Sequence, residues 1–411
     1  MAKILIIGTV WPEPNSTAAG SRMLQIITQL QHNNFEIVFA STAAFGEFSF
    51  DLKSIDVKTV SIELNNSSFD DFVLNLNPEI VIFDRFMIEE QFGWRVAEKC
   101  PNCVRILDTE DLHLVRNTRF DNLKKQKATI DADFLKSDIA KREIASIYRC
   151  DISLIIAEEE MRILTDVFKV DANILHYLPF LLSEINENDL QVFPSFAERQ
   201  NFISIGNFRH EPNWNAVLYL KEKIWPLIRK QLPEAEMHIY GSYVTEKAMN
   251  LHNQKEGFLV KGRAKNAHGI IKKARVLLAP IRFGAGIKGK LTDAMQAGTP
   301  SVTTTIGAES MFGNLPWNGI IADEDIEFAI AAIKLYDNEN LWKNAQINGV
   351  EIINKRYNKR VFGKLFVDKI NAIKENIASH RTNNFIGEML QMQTLKSTKY
   401  LSKWIEEKNK L

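Results

Sequence analysis

Short apolar runs alternate with helical patterns along this chain, and that alternation constrains the fold more than any other feature. After the first run, Met23, Ile26, Ile27 and Leu30 recur at the spacing of one helix face. Strands separated by helices usually pair in parallel, so the pattern predicts an α/β fold with parallel sheets. The predicted strands are residues 3–7, 35–40, 57–62, 79–83, 104–107, 152–156 and 174–178, then 202–205, 237–240, 258–260, 276–279, 301–304 and 319–321.

A polar segment divides the chain into two halves of similar architecture. It contains Pro194, lacks a sustained apolar period and is placed as a linker at residues 186–200. The length of 411 residues suits two domains of ordinary size, which we place at residues 1–185 and 201–378. Residues 379–411 are predicted as a charged helical tail with apolar anchors at Phe385, Met389, Leu390, Leu395, Tyr400, Leu401 and Trp404.

Composition and charge exclude several classes of function. Lys+Arg and Asp+Glu both number 51, so no basic field favours nucleic acid. The CxxC at Cys100 and Cys103 lacks the second cysteine pair of a zinc site. No apolar run approaches the roughly 18 residues of a membrane span, and residues 1–14 are predicted as a first strand rather than a signal peptide. We expect a cytoplasmic protein, with peripheral contact at the inner face of a membrane left open.

The stretch from residue 277 to 309 reads strand, glycine loop, helix, strand. Its loop at 283–290 places three glycines and two lysines at a helix start, where free N–H groups and the helix dipole attract phosphate. It lacks the spacing of a P-loop or of a dinucleotide fingerprint. The pattern predicts an anion cradle, with a solvated turn as the alternative; its members are Gly284, Ala285, Gly286, Ile287, Lys288 and Lys290.

The residues that follow this loop carry a family resemblance. The series at 293–300, then an apolar strand and the sequence at 307–309, resembles the donor-binding half of GT-B glycosyltransferases, especially the retaining glycosyltransferase family 4. The resemblance implies two Rossmann-like domains that face a central cleft, with C-terminal helices, the last of which crosses back onto the first domain. Packing of the tail on its own domain or on a second subunit is the alternative.

The resemblance also implies roles around the donor, a nucleotide diphosphate sugar. Lys290 matches the lysine that relatives aim at the diphosphate, and Lys288 is the second candidate. Asp293 falls where relatives hold the ribose, and Glu309 resembles a conserved acid of the same region, with a solvated side chain as the alternative. The usual first glutamate is replaced by Ala285, so we expect loop N–H groups from Ala285 to Ile287 to bind the sugar.

The loop that opens the second half, at residues 206–215, looks like a cleft loop of the same relatives. Gly206 ends the strand, and Arg209 and His210 are placed to offer positive charge to the donor diphosphate. For His210, a helix-start residue with a satisfied ring is the alternative.

Candidates in the first half follow the carboxyl ends of strands. Gly20 and Ser21 start the first helix and are predicted to add a second anion site, beside Arg22, which binds phosphate or covers a helix end. After the fifth strand the catalytic candidates are Asp108, Glu110, Asp111 and His113, and a capping box is the alternative. Arg116 and Arg119 are predicted to meet an anionic acceptor, and Asp84, Arg85, Glu158 and Glu159 also lie at strand ends.

A charged stretch at 117–149 is predicted as one long helix or a helical pair. It contains Asp131 and Asp133 in a DxD sequence, which we place on a solvated helix face rather than at a metal. No catalytic metal and no cofactor is expected.

The main hypothesis is a hexosyltransferase that moves a sugar to an acceptor hydroxyl in glycan or surface polysaccharide biosynthesis. If the reaction retains configuration, as the resemblance implies, the departing phosphate takes the acceptor's proton; if it inverts, an acid in 108–113 serves as general base. The acceptor is a glycan, a lipid-linked glycan or a protein. The alternatives are a nucleotide-sugar epimerase on the same fold and a binding protein that has lost activity, since Ala285 replaces a glutamate.

Overall fold

The computed structural model describes residues 2–392 and 395–408 and contains two parallel sheets. The first sheet has seven strands in the order β3-β2-β1-β4-β5-β6-β7, and every pairing is parallel. These strands are β1 (Lys3–Gly8), β2 (Glu36–Ser41), β3 (Lys58–Ser61), β4 (Ile80–Asp84), β5 (Val104–Asp108), β6 (Ile152–Ile155) and β7 (Leu175–Tyr177).

The second sheet has six strands in the order β10-β9-β8-β11-β12-β13, again all parallel. They are β8 (Gln200–Ile205), β9 (Met237–Tyr240), β10 (Phe258–Gly262), β11 (Ala274–Ala279), β12 (Ser301–Thr303) and β13 (Gly319–Ile321). Every predicted strand is present, and the observed ends differ from the predicted ones by at most two residues. In each sheet the strand order reverses, between β1 and β4 and between β8 and β11, and ligands of open α/β sheets bind at such reversals.

Helices cover both faces of the sheets. In chain order they are α1 (Ala18–Gln31), α2 (Ser68–Leu76), α3 (Phe86–Lys99), α4 (His113–Lys124), α5 (Asp131–Phe134), α6 (Asp138–Arg149), α7 (Glu158–Arg162), α8 (Glu187–Gln191), α9 (Glu211–Tyr219), α10 (Trp225–Gln231), α11 (Glu246–Met249), α12 (Ala267–Lys273), α13 (Gly289–Gln296), α14 (Thr305–Ala308), α15 (Asp325–Asp337), α16 (Glu339–Arg356), α17 (Lys359–Glu375), α18 (Ile377–Asn383), α19 (Phe385–Gln391) and α20 (Leu395–Lys408). Within the described residues, no helix is both long and apolar enough to cross a membrane.

The prediction of one helix or a helical pair at 117–149 is wrong, because three helices lie there. The chain leaves the helix after α4 and folds around Asp133, which is 8% exposed. Its carboxylate accepts from Asn122 Nδ2 at 3.1 Å and pairs with Lys127 at 3.1 Å and Lys136 at 3.3 Å. Asp133 therefore organises a turn and does not lie on a solvated face as expected.

The side chains of each strand enter two cores, as in parallel sheets that are covered on both faces. Leu5 and Ile7 of β1 join one core, and Ile4 and Ile6 join the other. That second core also contains Phe366 and other residues of α17. Helix α17 therefore packs on the first sheet, although the sequence-based division assigned residues up to 378 to the second domain.

The crossing back to the first domain takes place around Asn358. Leu182 donates to Tyr357 O at 2.8 Å and accepts from Lys359 N at 2.9 Å, so the two interdomain passages of the chain lie side by side. Beyond α17, Arg381 donates to both carboxylate oxygens of Asp151, at 2.7 and 2.8 Å.

The predicted tail anchors behave differently from one another. Leu390 packs against the first-domain core. Residues 393–394 and 409–411, and the side chain of the anchor Leu395, lie outside the described part of the tail. The remaining anchors are exposed rather than packed: Phe385, Met389, Tyr400, Leu401 and Trp404.

Candidate active site in the interdomain cleft

A cavity of about 1190 Å³ lies between the two domains, at the carboxyl ends of both sheets. The first domain lines it with the loops that follow β1, β4 and β5, and the second with the loops that follow β8, β9, β10 and β11. Both strand-order reversals therefore face the same space. The cavity brings together most of the predicted residues: Glu110, Asp111, His113, Gly206, Arg209, His210, Gly284, Ala285, Gly286, Ile287, Lys288, Lys290 and Asp293.

Lys290 lies on the second-domain side of the cavity. Its Nζ donates to Asn213 Oδ1 at 2.8 Å. Burial lowers the pKa of Lys290 to about 8, and the nearby charge of Asp293 opposes that shift. A Cβ on Gly206 would lie 2.9 Å from Lys290 Nζ, so Gly206 leaves room for the ammonium group. The Gly206 amide already donates to Tyr240 O at 3.1 Å, so this residue shapes the site rather than offering an N–H group.

Two helix N-termini meet at this cavity. Helix α13 begins at Gly289 and α1 begins at Ala18, and both residues line the cavity. A Cβ on Gly289 would lie 2.7 Å from Ala18 Cβ, so the two helix starts are in close contact. The first N–H groups of a helix have no partner within it, and the dipole adds positive potential there. The pair of helix ends therefore places N–H groups and positive potential from both domains at one point of the cavity, an arrangement that can hold an anion.

The predicted second anion site on Gly20 and Ser21 is wrong in its residues. Gly20 N donates to Thr17 Oγ1 at 3.0 Å, and Ser21 N donates to Thr17 O at 3.3 Å. A Cβ on Gly20 would lie 2.5 Å from Glu13 backbone atoms, so the glycine is needed for a close approach of the loop. Helix α1 begins two residues earlier than predicted, so its first backbone N–H groups are those of Ala18 and Ala19.

Arg209 and His210 lie at the rim of the cavity and are solvent-exposed. The Arg209 guanidinium stacks over Tyr243 at 3.9 Å from the ring centroid, and the Tyr243 hydroxyl donates to Glu13 at 2.7 Å. Arg209 also lines a smaller cavity of about 550 Å³ on the other side of this contact. His210 takes the N-cap position of α9 without a side-chain capping bond.

The glycine loop is held by the first domain. Gly286 N donates to Glu160 Oε1 at 2.9 Å, so one of the three amides predicted for the donor sugar is already occupied. Lys288 Nζ donates to Gly286 O at 2.9 Å, and burial lowers the pKa of Lys288 to about 8. Lys288 is 9% exposed and fixes the loop, whereas Lys290 is the more open of the two lysines.

Glu309 and Arg119 do not have the predicted roles. Arg119 Nη1 and Nη2 donate to the two carboxylate oxygens of Glu309, both at 2.7 Å, and Nη1 also donates to Gly284 O at 2.9 Å. Because both Glu309 oxygens face Arg119, the acid ties the domains together rather than lining the donor cavity. The alternative of a solvated Glu309 is likewise excluded by this ion pair.

Asp108 lies beneath the cleft instead of in it. It is fully buried and accepts from Arg22 Nε at 3.0 Å and Nη2 at 2.9 Å. Arg22 is 1% exposed and also donates to Leu178 O at 2.7 Å. Strand β5 continues to Asp108 and directs its side chain into the core, where it pairs with Arg22. The predicted catalytic role of Asp108 is therefore wrong. Both predicted roles of Arg22 are wrong for the same reason.

Glu110, Asp111 and His113 form the first-domain wall of the cavity. Burial and the charge of Asp108 raise the pKa of Glu110 well above its usual value. Burial alone would raise the pKa of Asp111, but Arg116, which donates to it at 2.5 Å, lowers it to about 2. Burial lowers the pKa of His113 to about 4, so its imidazole is neutral at pH 7. Arg116 is thus committed to Asp111 and is not a free cation for an acceptor.

The capping-box alternative for this segment is wrong. The N-cap of α4 is Leu112, and no side chain of residues 109–111 caps the helix. The helix start is capped from a distance, since Glu143 accepts from His113 N at 3.0 Å and from Leu114 N at 2.9 Å. Glu160 accepts from Leu112 N at 2.8 Å. Neither glutamate was singled out from the sequence; the available signal was an acid on the apolar face of a helix.

Two residues at the first-domain wall have left-handed backbone conformations. Glu110 has a φ of 62° and Arg85 has a φ of 72°, values that residues other than glycine rarely adopt. Such backbone strain clusters at functional sites. Arg85, a sequence-based candidate at the end of the fourth strand, also lines the cavity. Within the described residues, no group of three or more His, Cys, Asp or Glu could hold a metal ion.

Comparison with known proteins places the second domain in a family. Residues 199–338 match the family model described as "Glycosyl transferases group 1". A curated relative, "Uncharacterized 44.6 kDa protein in cps region" of Klebsiella pneumoniae, is 25% identical over 174 residues. That match covers 40% of this chain and 45% of the relative, so it spans less than half of either protein.

Solved structures match nearly the whole chain. Anabaena HepE in complex with UDP and glucose has a TM-score of 0.64 at 11% identity, over 90% of this chain and 100% of that one. An S. aureus TarM mutant in complex with Fondaparinux, alpha-GlcNAc-glycerol and UDP has a TM-score of 0.66 at 11% identity, with the same coverages. Sucrose-phosphate synthase from Thermosynechococcus elongatus has a TM-score of 0.68 at 13% identity, over 92% and 100%.

At these identities the structural likeness establishes the fold alone. The family model concerns the second domain alone. Residues 199–338 form a group 1 glycosyltransferase domain, and the chain as a whole has the GT-B fold.

Proposed function

We propose that this protein transfers a sugar, a hexose, from a nucleotide diphosphate sugar to an acceptor hydroxyl in the biosynthesis of a glycan or surface polysaccharide. One observation carries the proposal: the N-termini of α1 and α13 meet at Ala18 and Gly289, beside Lys290, in the interdomain cavity. Such a convergence of N–H groups and one ammonium group suits a diphosphate. A cavity that both domains line also leaves room for a second substrate.

The central task of the site is to stabilise the diphosphate as it leaves the sugar. Lys290 and the two helix ends hold fixed positive charge where the negative charge develops, so little reorganisation is needed during the reaction. Arg209 at the rim adds a further guanidinium that can turn toward the phosphates. His210 lies next to Arg209 and also lines the cavity.

Asp293 is proposed to accept hydrogen bonds from the ribose hydroxyls. It lies one turn after Lys290 on α13, and its carboxylate is open to the cavity. A group three residues along a helix lies on the same face, so the phosphate and the ribose can be bound side by side.

Glu110, Asp111 and His113 are proposed to face the transferred sugar and the acceptor. A neutral His113 and a Glu110 with a raised pKa suit hydrogen bonds to hydroxyl groups. We propose retention of configuration, in which the departing phosphate takes the proton of the acceptor hydroxyl and no protein base is required.

The proposed reaction is metal-independent, because Lys290 and the helix ends supply the positive charge that a metal would otherwise give to the diphosphate. Full activity in the presence of EDTA is expected. A loss of activity that Mg²⁺ or Mn²⁺ restores would contradict this part of the proposal.

Features of the chain and of its relatives support the acceptor class. The curated relative is described as lying in a cps region, and the TarM complex contains alpha-GlcNAc-glycerol. We propose a glycan, lipid-linked glycan or protein acceptor, reached by peripheral contact at the cytoplasmic face of a membrane. The exposed apolar residues of the tail, such as Tyr400 and Trp404, support that contact.

The test is a transfer assay with UDP-, GDP- and ADP-sugars and a panel of glycan and lipid-linked acceptors, read by mass spectrometry. The expected result is an acceptor that gains one sugar residue while a nucleoside diphosphate is released. A sugar epimer formed without an acceptor would favour the epimerase alternative. Absence of both reactions, with no nucleotide bound, would favour a binding protein that has lost activity.

A further inference from the structure

We infer that Glu160, a residue of the first domain, is a positioning residue that sets the geometry of the donor loop in the second domain. Its Oε1 accepts from Gly286 N at 2.9 Å and from Leu112 N at 2.8 Å. One carboxylate oxygen thus joins the donor loop to the segment that leads into α4. The inference rests on the proposed function, because it concerns the same donor site.

The contact between Gly286 and the first domain is too close to be incidental. A Cβ on Gly286 would lie 2.9 Å from Asp111 Cβ and 3.3 Å from Ile156 Cγ2. Its φ of 61° is also one that glycine adopts without strain. The loop is therefore shaped to reach the Glu160 carboxylate, and a bulkier residue would force the two domains apart.

The position of Gly286 is passed on to the start of α13. Gly286 O accepts from Lys288 Nζ at 2.9 Å, and Lys288 is the N-cap residue of that helix. Gly289 and Lys290 follow directly. Since Gly286 N is bound to Glu160 and Gly286 O to Lys288, the location of Glu160 determines where the phosphate-binding end of α13 points.

A second contact holds the other end of the same loop. Arg119 donates to Gly284 O at 2.9 Å, and Phe120 stacks on Phe283 with ring centroids 4.6 Å apart. The first domain therefore grips the loop on both sides of Ala285. Glu160 differs from Arg119 and Phe120 in two respects. It is only 2% exposed, and it also accepts a hydrogen bond from the loop at 109–112.

The chemistry of Glu160 fits a neutral bridging acceptor. Burial and the charge of Asp111 raise the pKa of Glu160 to about 8, so the acid is largely protonated at pH 7. Its Oε2 is buried and has no hydrogen-bond partner among the described residues, whereas Oε1 accepts twice. A protonated carboxyl keeps its carbonyl oxygen as an acceptor. Glutamine has the same oxygen in the same place, so Glu160→Gln is predicted to preserve the bridge.

Glu143 provides a matched control. It is 1% exposed, burial raises its pKa to about 8, and it accepts from two backbone N–H groups at the start of α4. Unlike Glu160, it has no hydrogen bond to the second domain among the described contacts. Loss of Glu143 therefore reports the structural cost of removing a buried glutamate from this region.

The experiment compares Glu160→Ala, Glu160→Asp, Glu160→Gln and Glu143→Ala in the full-length protein. UDP, GDP and ADP are titrated into each variant by calorimetry, and the melting temperature is measured in parallel. Glu160→Ala is expected to weaken the nucleotide that wild type binds by about tenfold, the scale of one hydrogen bond. Glu160→Gln and Glu143→Ala are expected to bind within about twofold of wild type.

Glu160→Asp keeps the inference testable if the alanine variant does not fold. Its carboxylate is one carbon, or about 1.5 Å, shorter, so it withdraws from Gly286 while the burial of the site is kept. The same weakening of about tenfold is expected. Wild-type affinity in Glu160→Asp and in any folded Glu160→Ala, or an equal loss in Glu143→Ala, would overturn the inference. Absence of nucleotide binding by wild type would instead overturn the proposed function.

Discussion

Arg119 of the first domain and Glu309 of the second form a bidentate ion pair across the cleft, with both nitrogen–oxygen distances at 2.7 Å. Arg119 is 10% exposed and Glu309 is 24% exposed, so solvent screens the pair only in part. Planar, bidentate geometry of this kind gives a stronger contact than a typical surface ion pair. The pair holds the two domains together at the donor loop, and it explains why Glu309 is not available to a substrate.

Arg119→Ala is predicted to open the cleft. Loss of the two bonds to Glu309 and of the bond to Gly284 O should shift the closure equilibrium by at least roughly 1.5–3 kcal/mol toward open forms. Small-angle X-ray scattering should then show a larger radius of gyration than for wild type. Arg116→Ala, one turn earlier on α4, is the control because Arg116 pairs with Asp111 in its own domain. Equal radii for wild type and Arg119→Ala would contradict a role in closure.

Asp108→Ala is predicted to act on stability and not on the donor. Removal of one partner leaves Arg22 charged and buried, which typically costs about 3–5 kcal/mol. Denaturant unfolding of Asp108→Ala should show that loss, and the double variant with Arg22→Met should recover part of it. The affinity of the folded variant for the nucleoside diphosphate that wild type binds should be unchanged. Loss of that binding with normal stability would return Asp108 to the active site.

Nucleotide affinity is predicted to fall as the pH rises above about 8. The folded-state pKa of Lys290 is lowered to about 8 by burial, so the lysine is mostly charged at pH 7 and neutral well above that value. A diphosphate favours the charged form, so affinity is largest below pH 8 and should decrease by up to about tenfold per pH unit above it. Calorimetry with the nucleoside diphosphate that wild type binds, from pH 7 to about pH 9.5, measures the slope.

Lys290→Ala is the control for this profile and should bind weakly with little dependence on pH. The pKa of Lys288 is also lowered to about 8 by burial, so it could produce a similar slope. Burial raises the pKa of Asp293 to about 7, so its ionisation would also weaken the binding of an anion as the pH rises. A slope that persists in Lys290→Ala would therefore contradict the assignment of the titration to Lys290.

Asp293→Ala is predicted to weaken the binding of the nucleoside diphosphate that wild type binds more than the binding of pyrophosphate. Removal of the carboxylate takes away an acceptor for the ribose hydroxyls, and pyrophosphate has no ribose. A difference of roughly 1 kcal/mol or more between the two ligands is expected, the usual scale of a hydrogen bond. Equal losses for the nucleoside diphosphate and pyrophosphate would show that Asp293 acts on the phosphates instead, through its neighbour Lys290.

The sheets and the cleft loops could be predicted from sequence because their signals are local. An apolar run such as residues 276–279 and the glycines after it specify a strand and a loop within a short window. The helix start at α13, with Lys290 beside it, was predicted for the same reason. Carboxyl ends of parallel strands share one edge, so placing loops such as 110–113 in one cleft required only the α/β pattern.

Several of the misplaced residues have partners that lie far away in the sequence. Arg22 and Asp108 are 86 positions apart, Glu160 and Gly286 are 126 apart, and Arg119 and Glu309 are 190 apart. A single sequence gives no periodicity that joins such positions. Charged residues were therefore assigned to ligands, because the partner that neutralises each of them comes from another element or from the other domain.

The three helices at 113–149 show the same limit at shorter range. Their composition favours helix throughout, and the sequence has no glycine or proline there. The break is made by Asp133, whose buried carboxylate gathers Asn122, Lys127 and Lys136. A tertiary arrangement of charges overrides helix propensity at this point.

The most direct test of the account is calorimetric titration of UDP, GDP and ADP into wild type and Lys290→Ala at pH 7. The account predicts that wild type binds at least one of these nucleotides and that Lys290→Ala loses roughly 1.5–3 kcal/mol of that binding free energy while keeping its melting temperature. Binding of the same nucleotide with unchanged affinity in Lys290→Ala would remove the lysine from the donor site and contradict the central claim. Absence of binding by wild type would contradict a nucleotide-sugar donor altogether.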